Sequence, residues 1–111
     1  MGYDPELADR IRELVAGEPA VDERRMFGGL AFLVGGHMAV AVSGQGGLLV
    51  RVAPGEADAL LRRDHVEPMI MAGRPTRGWL RVGPDALATM RQLRSWVDRG
   101  VGYARGLPPK R

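Results

Sequence analysis

Three short, mostly apolar runs, at residues 30–34, 38–42 and 48–52, follow one another along the chain. Between them stand Gly35-Gly36-His37 and Ser43-Gly44-Gln45-Gly46-Gly47. Glycine reaches the positive-φ conformations that tight hairpins need, so this spacing predicts a β-meander. Connections this short make the neighbouring strands antiparallel, because a parallel crossover takes about a dozen residues or more. A further short strand is expected just upstream, over residues 24–27, with Gly28-Gly29 turning the chain sharply after it.

Elsewhere the apolar period is helical. Asp4 precedes Pro5 as an N-cap before a first-turn proline, and Leu7, Ile11, Leu14 and Val15 follow on one stripe until Gly17. Pro54, with Glu56 and Asp58 behind it, predicts a second helix of about 9–10 residues. Its apolar side is Ala57, Leu60 and Leu61. Residues 64–75 read as less regular, with Met69-Ile70-Met71 between Pro68 and Gly73. Residues 77–82 read as a last strand. Gly83-Pro84-Asp85 then opens a third helix whose stripe is Ala86, Met90, Leu93 and Val97, flanked by Leu87 and Trp96. Gly100 and Gly102 are expected to release the chain.

The order α-β-β-β-β-α-β-α predicts an α+β fold. Its simplest arrangement is a two-layer α/β sandwich, with about five mainly antiparallel strands and three helices. One domain over residues 1–104 and a basic, proline-containing tail over 105–111 are expected. The pleat sets Leu48, Val50 and Val52 opposite Leu49 and Arg51, and Leu80 and Val82 opposite Arg77, Trp79 and Arg81. If the aliphatic set meets the helices, the outer face carries Arg51, Arg77, Trp79 and Arg81. A tryptophan among arginines is a candidate partner-binding face. The plainer alternative is an indole covered by arginine stems or by the tail within the chain.

Composition adds limits. The 111 residues are 45% apolar and 26% charged, an ordinary globular balance. No run approaches the roughly 20 apolar residues that cross a bilayer, and the acidic N-terminal segment does not read as a secretory signal. No cysteine is present, which removes disulfides, thiolate nucleophiles and zinc–thiolate sites. The expected compartment is the cytoplasm, with no membrane partner.

Charge is unevenly divided. Residues 1–73 hold 7 basic and 11 acidic side chains, a net of −4; residues 74–111 hold 9 and 2, a net of +7. All the basic residues but Lys110 are arginine. Arg74, Arg91, Arg94, Arg99 and Arg105, with Arg77 and Arg81 beside them, are therefore candidate nucleic-acid contacts through phosphate. Solvated helix faces in an arginine-rich proteome explain the same excess.

Catalytic chemistry finds little support. Gly44-Gln45-Gly46-Gly47 leads into a strand, whereas phosphate-cradling loops lead into a helix. His65-Val66-Glu67 matches half of a zinc-deaminase signature whose cysteine half is impossible here. His37 falls in a turn, and neither histidine has a metal partner at a known spacing. Ser43 and Ser95, the only serines, lack the strand–elbow–helix setting of a hydrolase nucleophile. Glu56/Asp58 and Asp22/Glu23 read as helix-start and loop charges. No catalytic, cofactor or metal residue is nominated, and the expectation is a non-enzyme without a cofactor. Zinc-finger and aromatic ribonucleoprotein patterns are also absent.

At Arg24-Arg25-Met26-Phe27-Gly28-Gly29 the chain resembles the TfoX (Sxy) N-terminal domain family, which shares an Arg-Met-Phe-Gly-Gly signature near its first strand. The resemblance continues through Gly35-Gly36-His37-Met38-Ala39-Val40 and Leu48-Leu49-Val50-Arg51-Val52. It resumes at Met71-Ala72-Gly73-Arg74-Pro75 and Gly78-Trp79-Leu80-Arg81-Val82, then Trp96-Val97 and Leu107-Pro108-Pro109-Lys110. It implies a two-layer sandwich similar to secretion-chaperone-like domains. Founding members regulate DNA-uptake competence and carry a second, helical domain. This sequence stops at Arg111, so the resemblance implies a single-domain member, for which the competence role is not the leading expectation. The signature residues are expected to be structural, and no enzymatic activity is implied.

The leading expectation is a regulatory or adaptor module that binds a protein partner or itself. The runner-up is a nucleic-acid-associated transcriptional regulator. A third possibility is a small-molecule pocket between sheet and helices.

Overall fold

The computed structural model describes residues 3–26 and 28–108. Their order is α1 (Pro5–Leu14), β1 (Val21–Met26), β2 (Gly29–Val34), β3 (His37–Val42), β4 (Leu48–Arg51), α2 (Pro54–Leu60), β5 (Val66–Met71), β6 (Arg74–Val82) and α3 (Met90–Arg105). Every strand pairs antiparallel in one sheet ordered β1-β2-β3-β4-β6-β5. The α+β sandwich is as the sequence predicts, with six strands rather than five.

The extra strand is β5, inside the segment read as irregular, and β6 begins at Arg74 instead of Arg77. Pro68 conceals β5, because proline interrupts a central strand. At the sheet edge, a strand tolerates the missing N–H. Pairing with β6 also slips between Pro68 and Ile70, which breaks the two-residue period. At the opposite edge β1 spans Val21–Met26, not 24–27, and Phe27 lies outside the described residues. Its run of four charged residues hides it from an apolar pattern.

Asp4 caps α1 as predicted, its Oδ1 accepting from Glu6 N at 3.0 Å and Leu7 N at 3.4 Å. Leu7, Ala8 and Ile11 are the residues this helix buries. α2 is shorter than expected, seven residues, with Ala57 and Leu60 turned inward.

α3 does not open at Gly83-Pro84-Asp85, where Pro84–Ala86 form a single 3-10 turn. It starts behind Thr89, whose Oγ1 accepts from Gln92 N while Gln92 Oε1 accepts from Thr89 N, at 3.1 and 3.0 Å. This capping box satisfies two N-terminal N–H groups at once and fixes the start. Leu93 and Val97 are buried, but Met90 is 39% exposed. Gly100 and Gly102 do not end the helix, which runs to Arg105. A Cβ on Gly100 would strike the Ala39 carbonyl and approach Val40 Cγ1 to 2.8 Å. Glycine there lets α3 lie directly on β3.

All three helices pack on one face. Phe32, Val40, Val42, Leu48, Val50, Leu80 and Val82 meet Ile11, Leu60, Leu93, Trp96 and Val97 in the main core. Burying each such side chain stabilises by about 1.5–3 kcal/mol. The opposite face holds a smaller cluster drawn from strands alone. Ala31, Leu33, Ala41, Leu49 and Met69 form it, edged by Met26, Met38 and Trp79.

Candidate partner-binding face

β4 and β6 pair so that Leu49 lies opposite Arg81 and Arg51 opposite Trp79. Directly opposed residues share a face, which starts all four from the side away from the helices, although Arg51, at the end of β4, extends its guanidinium to Tyr103 of α3. The candidate residues Arg51, Trp79 and Arg81 therefore do come together. They are not equally free.

Arg81 is held by the β3–β4 turn. Its Nη1 donates to Ser43 Oγ at 3.2 Å and to the Gly46 carbonyl at 3.0 Å. The Arg51 guanidinium lies near two rings, 5.5 Å from the Trp79 centroid and 5.3 Å from the Tyr103 centroid. Trp79 is half-buried against the strand-only cluster, and Arg77 is exposed. The indole is thus partly covered by an arginine stem and partly open. Just beyond Met69, the β5–β6 hairpin exposes Ile70 at 55% and Met71 at 39%. The sequence places Ile70 and Met71 only within an irregular segment and not on the candidate face, because Pro68 hides β5. Three consecutive large apolar residues, Met69, Ile70 and Met71, before Ala72-Gly73 are the available signal.

The basic set divides between two elements. Arg74 belongs to β6; Arg91, Arg94, Arg99 and Arg105 belong to α3. Arg91 and Arg94 are exposed. Arg99 Nη1 donates to Ser95 Oγ at 2.6 Å, and its guanidinium stacks on Trp96 at 5.3 Å. Arg105 donates from Nε and Nη2 to Glu18 at 2.8 and 2.5 Å, and that bidentate pair raises its affinity for its proton. Two of the five guanidinium groups are therefore already engaged within the chain.

The signature stretch sits at the sheet edge. Arg24 and Arg25 are exposed on β1, and Met26 packs beside the strand-only cluster. Gly28 takes φ 74°, and a Cβ on Gly29 would run into the Val42 carbonyl. Backbone geometry accounts for the paired glycines.

His37 Nε2 donates to the Pro108 carbonyl at 2.6 Å, tying the chain beyond α3 to the β2–β3 hairpin. His65 Nδ1 is 3.9 Å from Asp85 Oδ2 on the surface. Among the described residues no group of three or more His, Cys, Asp or Glu could hold a metal ion. No described helix is long and apolar enough to cross a membrane. Several hollows open among the described residues. One of about 410 Å³ lies between Glu18, Val34, Ala104 and Leu107, and one of about 240 Å³ lies between α2 and β6 beside Arg77 and Trp79.

Residues 13–104 match the family model described as the TfoX N-terminal domain. No curated protein and no solved structure matches the chain.

Proposed function

The chain belongs to the TfoX N-terminal domain family, and from that premise we propose that it is a non-enzymatic regulatory or adaptor module that holds a protein partner on its helix-free sheet face. One observation carries the reading. Trp79 stands part-open over the apolar cluster of Leu49 and Met69, with Ile70 and Met71 exposed in the adjoining hairpin. Aromatic and methionine side chains are enriched in protein interfaces, and a desolvated tryptophan is among the residues that carry most of the binding energy there. Arg77 beside Trp79 provides a charged rim. A large apolar group left beside charged residues on a small domain marks an interaction surface.

The test compares tagged wild-type protein with Trp79→Ala and with Ile70→Asp/Met71→Asp in capture from the source cell, followed by mass spectrometry. Arg91→Glu/Arg94→Glu serves as the control on the basic helix. A protein retained by wild type and by the control, but lost with both face variants, supports the adaptor. Nuclease-sensitive nucleic acid, lost only with the arginine variant, replaces it with the nucleic-acid reading. Equal recovery by all four proteins removes the face from consideration.

A further inference from the structure

The two edges of the sheet are built differently. β5 carries Pro68 and a slip in its pairing, both of which discourage another strand from adding to an edge. β1 has neither. Its six residues pair with β2 in unbroken register from Val21↔Val34 to Met26↔Gly29, and it contains no proline. Among the described residues no strand lies on its outer side.

Charges usually keep such an edge from pairing, but here Asp22 and Arg24, two residues apart on one face, are complementary in an antiparallel register centred on Glu23. Along β1 the charges run Asp22, Glu23, Arg24, Arg25. A second copy running antiparallel reads the opposite way. We propose that β1 is a homodimer seam, on which a second copy of this chain adds antiparallel about a two-fold axis at Glu23 to make one continuous twelve-stranded sheet.

The backbone supports that axis. The Ala20 carbonyl accepts from Gly35 N at 3.1 Å, so it points toward β2. By alternation the groups of Asp22, Arg24 and Met26 also point inward, and those of Val21, Glu23 and Arg25 point outward. A two-fold at Glu23 joins the outward groups. Glu23 bonds its own counterpart and Val21 bonds Arg25, with both N–H and C=O used.

The side chains fit the same register. Asp22 and Arg24 lie opposite Leu33 and Ala31, hence on the helix-free face. Across the axis each Asp22 meets Arg24 of the other copy at a non-hydrogen-bonded pair, where side chains are closest. The two Glu23 side chains would repel, but each is already paired with its own Arg12, at 2.8 Å through both Nε and Nη2. Shifting the axis to Arg24 would set two arginines face to face. Among the described residues Arg24 forms no ion pair that could offset this.

The seam does not involve Trp79, so it stands or falls apart from the proposed partner face. Sedimentation velocity on the whole chain up to about 1 mM tests it, using Asp22→Arg, Arg24→Asp, the double swap and Arg25→Pro. Arg25→Pro removes an outward N–H and leaves the ladder to β2 intact. Each single reversal should weaken the dimer by about tenfold. The double swap should restore it, as should mixing the two single variants, and Arg25→Pro should abolish it with little change in melting. Trp79→Ala should leave it unaltered. A wild-type monomer throughout the range overturns the proposal, and so does a dimer indifferent to these substitutions.

Discussion

Arg51 and Trp79 face each other across β4 and β6, with the guanidinium 5.5 Å from the indole centroid and 5.3 Å from the Tyr103 centroid. A planar cation within reach of two ring faces is attracted by both quadrupoles and covers part of each ring. Arg51→Ala should cost about 0.5–1 kcal/mol, the range for a part-exposed cation–π contact. It should also raise iodide quenching of the fluorescence. Trp96, 4% exposed, contributes little quenchable emission, so the change reports Trp79. Arg51→Lys keeps the charge without the flat stacking surface and should resemble Ala more than Arg. Unchanged quenching would mean the indole is shielded by something else.

Two glycines of α3 separate packing from propensity. Gly102→Ala meets nothing within 4 Å. It should stabilise the protein by up to about 1 kcal/mol, because alanine loses less entropy in a helix. Gly100→Ala gains the same term but drives a methyl into the Ala39 carbonyl and toward Val40. Overpacking of that kind costs about 1–3 kcal/mol, so the net sign reverses. Urea denaturation of both variants checks the prediction. Equal stabilisation would show that α3 lifts off β3 at little cost.

The meander and the division of faces were legible because they rest on period and on short glycine linkers. Leu48, Val50, Val52, Leu80 and Val82 point where alternation sends them. What was hidden lay at the edges. β1 is polar on both faces, and β5 contains a proline and a pairing slip, so neither gives an apolar period. Helix ends failed where one residue type carried the reading. Pro84 marks a 3-10 turn while Thr89 and Gln92 set the true start, and Gly100 serves a close approach instead of a stop. For the candidate face, alternation placed Arg51, Trp79 and Arg81 together. Only three-dimensional contacts reveal that Ser43, Gly46 and Tyr103 already engage the two arginines.

Neighbouring leucines on opposite faces offer a measure of the two clusters. Leu48 is 0% exposed beneath the helices, and Leu49 is 3% exposed in the strand-only group. Leu48→Ala leaves a void between rigid layers and should cost about 3–5 kcal/mol; Leu49→Ala should cost nearer 2, because side chains of an uncovered face can settle into the gap. Thermal unfolding distinguishes the pair. Equal costs would imply that the open face is as rigidly packed as the core.

The Arg12–Glu23 pair joins α1 to β1 and makes stability depend on acidity. Two hydrogen bonds from Arg12 hold the Glu23 carboxyl below its ordinary value. A carboxyl whose folded value lies under its unfolded value of about 4.3 contributes stability that is fully present above that value. The contribution is lost as pH falls through the folded value. Wild type should therefore lose stability relative to Glu23→Gln as pH drops from about 5 toward 2, and the two should converge in acid. Both groups are part-exposed, so the gap at neutral pH should be small and should shrink further in high salt. Urea titrations at several pH values, in protein dilute enough to be monomeric, provide the comparison. A difference between the two proteins that stays constant from neutral pH into acid would show that the Arg12 bonds do not distinguish the charged carboxyl from the neutral one.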